Sequence, residues 1–199
     1  MQLHSRTKIV LSLVLSASLL ATGCSAQWIK LALADLPVLI QMALNIGMLV
    51  TTLQANHQLT PAETMAIQNI SAEAGRDLNL LQTLYNEYQA NPSAETIRQI
   101  QAAIAETNQN LPAILQAAHI VDPVLSTRIT AAVNLILSTV NSFAALIPQT
   151  TTPMLAKRSA QRKTSIPLAE DLKKSWNQQV CGATGRPALD AAFAGCTVR

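Results

Sequence analysis

Three helix-start signals partition most of this chain, and they constrain its fold more than any other feature. Thr60-Pro61-Ala62-Glu63 supplies an N-cap, a proline at the first helical position and a glutamate placed to close a capping box. Ser93, after Asn91-Pro92, caps a second start, and Asp122-Pro123 repeats the order of cap then proline. The first amides of a helix have no partner inside it, so a side-chain oxygen at the right place fixes a boundary. The signals predict four helical segments, 27–56, 61–90, 94–119 and 123–147.

Apolar spacing within the segments agrees. Ile97, Ile100, Ile104, Thr107, Leu111, Ile114 and Ala118 recur at intervals of three and four, as do Ile129, Val133, Ile136, Val140, Phe143 and Ile147. A looser series, Ile67, Ile70, Ala74, Leu81, Leu84 and Tyr88, marks the second segment. Ala, Leu, Ile and Gln dominate, while aromatics make up only 3% of residues, which suits helix on helix and argues against a β-sandwich. Pro37 and Pro112 fall inside helical pattern, where a kink or break is expected. Short connections between helices of similar length favour antiparallel neighbours. The expected fold is all-α: an up-down-up-down four-helix bundle over 24–150, a basic linker over 151–166, and a short helix with a disulfide-closed loop over 167–199.

The first segment breaks the amphipathic rule. From Leu31 to Val50 it is apolar on nearly every face, interrupted mainly by Asp35, Gln41 and Asn45. Such a helix needs cover on all sides. The tail, a second copy or partner helix, a bound apolar molecule and a membrane are the available covers. Leu39, Met42, Ile46 and Leu49 are the expected interface residues on this segment. The Asn134, Ser138 and Asn141 face of the fourth segment also points to an interior or an interface.

Charge is split along the chain. Residues 24–150 carry four basic and eight acidic side chains, whereas residues 151–199 carry eight basic and three acidic. In an antiparallel bundle the linker leaves the fourth helix at the end where the first begins. Lys157, Arg158, Arg162 and Lys163 therefore become candidate contacts for anionic headgroups, with a solvated linker as the plain alternative. Nucleic acid is a poor partner, because no aromatics are interleaved with the bases.

The start of the chain gives the reason to consider a membrane. Arg6 and Lys8 precede an apolar run from Ile9 to Leu20, and Ala21-Thr22-Gly23-Cys24 follows. This order is that of a secretory signal. The last four residues resemble the lipobox of bacterial lipoproteins, with Ala21 where that family usually has Leu. The resemblance covers residues 1–23 and the cysteine. It implies lipidation of Cys24, an acyl anchor in a membrane and, with Ser25 next in line, the periplasmic face of the outer membrane. Cleavage after Ala26 would instead release a soluble secreted protein. An uncleaved anchor fits less well, because the apolar run is shorter than the roughly 20 residues of a span.

Cys181 and Cys196 remain as an even pair, and in an oxidising compartment they are expected to form a structural disulfide. No motif of catalysis, phosphate binding or haem attachment accompanies them, and no cofactor is called for. Gly182-Ala183-Thr184-Gly185 reads as a tight turn inside the disulfide loop. His57 and His119, with Glu63 and Asp122, are weak metal candidates, since the loops that hold them share one end of a bundle. Glu73, Arg76 and Asp77 read as a solvated face, and Tyr85 and Tyr88 as core-edge residues with wet hydroxyls. The function expected from these residues is a non-enzymatic, lipid-anchored structural or interaction module with an envelope protein or a second copy as partner. The alternative is a carrier or sensor holding a small apolar ligand within the bundle.

Overall fold

The computed structural model describes the backbone of residues 3–55, 58–147 and 167–199, and side chains within 28–54, 58–147 and 167–199. Among the described residues six helices follow one another: α1 Leu3–Ala55, α2 Pro61–Ala90, α3 Ala94–Ala117, α4 Pro123–Ala144, α5 Ala169–Gln179 and α6 Pro187–Phe193. There is no strand among the described residues. In the bundle α1 packs on α2, α2 on α3, α3 on α4, and α4 back on α1.

The three start signals act as expected. Thr60 Oγ1 accepts from the Glu63 amide at 3.2 Å, and Glu63 Oε2 accepts from the Thr60 amide at 3.0 Å, completing the capping box. Ser93 caps α3 through the Thr96 amide at 3.0 Å. Asp122 Oδ1 accepts from both Val124 and Leu125 at the head of α4. The predicted seams are the core: Ile67, Ile70, Leu81, Ile100, Ile104, Ile129, Val133, Ile136, Val140 and Phe143 are buried. Burying one Ile or Leu contributes about 1.5–3 kcal/mol.

Pro37 and Pro112 do not break their helices; α1 and α3 run on through both. Each proline removes one backbone donor without ending its helix. The apolar leader and the first bundle segment are one continuous helix, so the boundary expected at Cys24 is not marked by a change of backbone. Where α1 meets α2 the helices approach closely. Ser71 Oγ donates to the Ala43 carbonyl at 2.7 Å, and a Cβ on Gly47 would lie 2.7 Å from that hydroxyl.

The tail supplies the cover that α1 needs. α5 packs on α4 and α1, and α6 packs on α1. Among the described side chains of α1, the exposed ones follow a stripe at helical spacing, Lys30, Ala34, Pro37, Gln41, Leu44, Met48 and Thr51, with Leu31, Thr52 and Gln54 beside it. Leu39, Met42, Ile46 and Leu49 lie on the buried side, at most 2% exposed. They are core residues and cannot form the outward interface expected of them. The large apolar side chains that do reach solvent from the middle of α1 are Leu44 and Met48. The Asn134, Ser138 and Asn141 face of α4 is not interior, because all three are exposed, and Asn141 pairs with Asn108 across the α3–α4 seam.

Cys181 and Cys196 form the disulfide, with Cα atoms 5.8 Å apart. The loop it closes contains α6. Its turn does need the glycines: Gly185 has φ +76°, and a Cβ on Gly182 would sit 2.7 Å from the Gln178 carbonyl oxygen.

Candidate functional site

Three polar residues interrupt the apolar run of α1, and their fates differ. Gln41 is on the exposed stripe. Asn45 is 1% exposed, and its Nδ2 donates to the Cys196 carbonyl at 2.8 Å. The same carbonyl accepts from Trp176 Nε1 at 2.8 Å. One buried oxygen beside the disulfide therefore ties α1, α5 and the loop together. Burying those three polar atoms is acceptable because each finds its partner.

Asp35 has no such partner. Its residue is 3% exposed, and no described residue donates a hydrogen bond to its carboxylate or pairs with it. It lines a groove of about 610 Å³ at the seam of α1, the end of α4 and the start of α5. Leu31, Ala34, Leu146, Pro167 and Leu168 make the walls apolar, and Glu170 stands at the edge. Burial alone pushes the Asp35 carboxyl up to about 6. The groove lies about 10 Å along α1 from Cys24, counting seven residues of helix rise. Trp28 marks the same end of the bundle. Its ring meets Tyr85 edge-on at 5.6 Å, and Tyr85 meets Phe143 at 6.2 Å. Trp28 Nε1 and the Tyr85 hydroxyl are buried without a partner, so Tyr85 is interior and not at a wet edge. Burial raises its phenol well above the usual range.

A second buried carboxylate, Asp77, sits between α2 and α3. Burial first, then the neighbouring Glu73 charge, raise it to about 6, with the nearby Thr107 hydroxyl, which donates to the Ala103 carbonyl, pulling the other way. Glu73 pairs with Arg76 on the surface, as a solvated face should, but Asp77 turns inward.

The opposite end carries the residues singled out for metal. His119 is exposed, and His57 lies outside the described residues. Glu63 Oε1 accepts from the Val121 amide at 2.8 Å while its other oxygen closes the capping box, so both oxygens are occupied. Asp122 caps α4 with one oxygen and pairs with Arg186 through the other. Among the described residues no group of three or more His, Cys, Asp and Glu is placed to hold a metal ion. Nearby, Arg128 donates to the Val180 carbonyl and lies 4.7 Å over the Phe193 ring, fastening the disulfide loop to α4. Lys157, Arg158, Arg162 and Lys163, and the side chain of Cys24, lie outside the described residues.

No family model, curated protein or solved structure matches the chain. Sequence reasoning noted Asp35 and Asn45 only as interruptions. The signal was available in their type, because a carboxylate and an amide inside an apolar helix each need a partner. It could not say which one would find it.

Proposed function

We propose that this chain is a bacterial envelope lipoprotein whose helical bundle serves as a structural or protein-interaction module without catalysis. The observation that carries the reading is Ala21-Thr22-Gly23-Cys24 at the end of a basic-then-apolar leader, followed by a domain held by a disulfide. A disulfide belongs to an oxidising compartment, which agrees with export. Lipid on Cys24 would set the Trp28 end of the bundle near the membrane and leave the Glu63 and Asp122 end pointing away. Lys157, Arg158, Arg162 and Lys163 would meet headgroups from that same near end. Contact with an envelope partner or a second copy falls to the exposed stripe of α1, where Leu44 and Met48 are 59% and 55% exposed one turn apart.

Detergent phase partition of the full chain tests the anchor. The wild type should enter the detergent phase and Cys24→Ala should stay in water, with a mature mass lacking the acyl additions. Retention of Cys24→Ala in the detergent phase would overturn the reading.

The carrier reading keeps one observation in its favour, the groove beside Asp35. That groove lies at the seam between bundle and tail, whereas the predicted ligand site was inside the bundle, where Leu36, Leu39, Met42 and Tyr85 fill the space.

A further inference from the structure

We propose that the groove between α1, the end of α4 and the start of α5 binds the ammonium group of a small amine with an apolar body, with Asp35 as its counter-ion. This site stands independently of the lipid anchor.

The geometry comes first. A volume of about 610 Å³ is that of a small-molecule site, and such sites are mostly apolar with a few convergent polar groups. Here the convergent group is a carboxylate that is 3% exposed and receives no hydrogen bond from the described residues. A carboxylate in apolar surroundings is costly unless a cation with donors meets it. An ammonium supplies both charge and donors in one contact. Among the described residues the lining offers no cation: its charged members are Asp35 and Glu170, both acidic. Lys30, one position before Leu31, is on the exposed stripe.

The same inventory excludes other occupants. A carboxylate or phosphate ligand would face two acids. The positive end of α5 would favour such an anion, but Glu170 and Asp171 in its first turn already offset that field. A phospholipid headgroup carrying ethanolamine would bring its phosphate beside Glu170, so a simple amine is the better fit. A neutral apolar molecule would fill Leu31, Leu146 and Leu168 and leave Asp35 unpaired. Specificity for charge is thus the signature of this site, since a purely hydrophobic groove would rank ligands by size alone.

Ligand-observed NMR and calorimetry on the full chain at pH 7.5 test the proposal. The probe is cyclohexylmethylamine, and the controls are cyclohexylmethanol, cyclohexanecarboxylate and dihexanoyl phosphatidylethanolamine. The amine should bind saturably and at least tenfold more tightly than each control. Asp35→Asn, an isosteric change, should weaken the amine at least tenfold and the alcohol less than twofold. Leu168→Trp, which fills the mouth and keeps the carboxylate, should weaken amine and alcohol alike. Binding should also fall as pH drops through 6, where Asp35 takes up its proton. Circular dichroism confirms that each variant is folded. Equal binding of amine and alcohol, unchanged amine binding by Asp35→Asn, or binding of no probe would overturn the proposal. Equal binding of the phosphatidylethanolamine would overturn the simple amine and make a lipid headgroup the ligand. Cys24→Ala should leave amine affinity unchanged, so failure of the anchor and failure of this site are read separately.

Discussion

Glu63 and Asp122, at the end where α2 and α4 begin, accept hydrogen bonds from backbone amides and from Arg186 with every carboxylate oxygen. At the other end Asp35 accepts none from the described residues, and Trp28 Nε1 and the Tyr85 hydroxyl are buried without partners. The two kinds of carboxylate therefore answer acid in opposite ways. Burial tends to raise the Glu63 carboxyl, but bonds from Thr60 and Val121 outweigh it and hold it below the usual value. Asp122 is likewise lowered, its bonds from Arg186, Leu125 and Val124 overcoming burial. The stability these two contribute is present above their unfolded values and is lost as pH falls. Asp35 and Asp77 are raised from 3.8 to about 6, so the native state holds their protons where the unfolded chain does not. What they contribute is present below 3.8 and is lost as pH rises to about 6. Glu63 and Asp122 hold the fold at neutral pH, whereas Asp35 and Asp77 keep their charges there at some cost to it.

The sharpest way to break this contrast is at Glu63 and Asp122. Glu63→Ala with Asp122→Ala should lower unfolding free energy by about 2–3 kcal/mol at pH 7, from the lost α4 cap, half of the α2 capping box and a freed Val121 amide. Urea denaturation followed by far-ultraviolet circular dichroism reads it, and a loss under half that size would mean the caps are decorative. Asp35→Asn should do the reverse. A gain of about 1 kcal/mol is expected at pH 7.5, less than full conversion of the shift because the carboxyl meets solvent through the groove. The gain should vanish at pH 4, where the wild-type group is already neutral; a pH-independent effect would assign it to packing. Smallest of all, Arg98→Ala removes an exposed pair with Glu95 and should shift the thermal midpoint by the equivalent of under about 0.5 kcal/mol.

Three of the four bundle helices were legible because their starts are written locally, whereas α1 runs from Leu3 through the start expected at 27. Thr60 and Glu63, Ser93, and Asp122 with Pro123 specify their caps within three residues, and no distant contact is needed. Cover of α1 was legible only as a need. Which residues meet it depends on Asn45 reaching the Cys196 carbonyl, and nothing local to either residue encodes that distance. The same limit explains Leu39, Met42, Ile46 and Leu49, since an apolar pattern reports that a face is buried but not by what. Asp77 was misread as solvated because Glu73 and Arg76 beside it are. A rotation of 100° per residue puts neighbours in sequence on different faces, and only the packing of α3 on α2 says which face is inside. α6 was missed because seven residues inside a disulfide loop are too few for a periodic pattern to declare itself.

The bond from Asn45 to the Cys196 carbonyl also sets a clock. Its partners are 151 residues apart in the chain, so α1 is made long before the segment that shelters it. At typical synthesis rates that interval is on the order of ten seconds. During it the most apolar helix of the protein has no permanent neighbour on its tail-facing side. A holding chaperone would have its strongest claim on this chain in that interval, and its claim would end when residue 196 arrives.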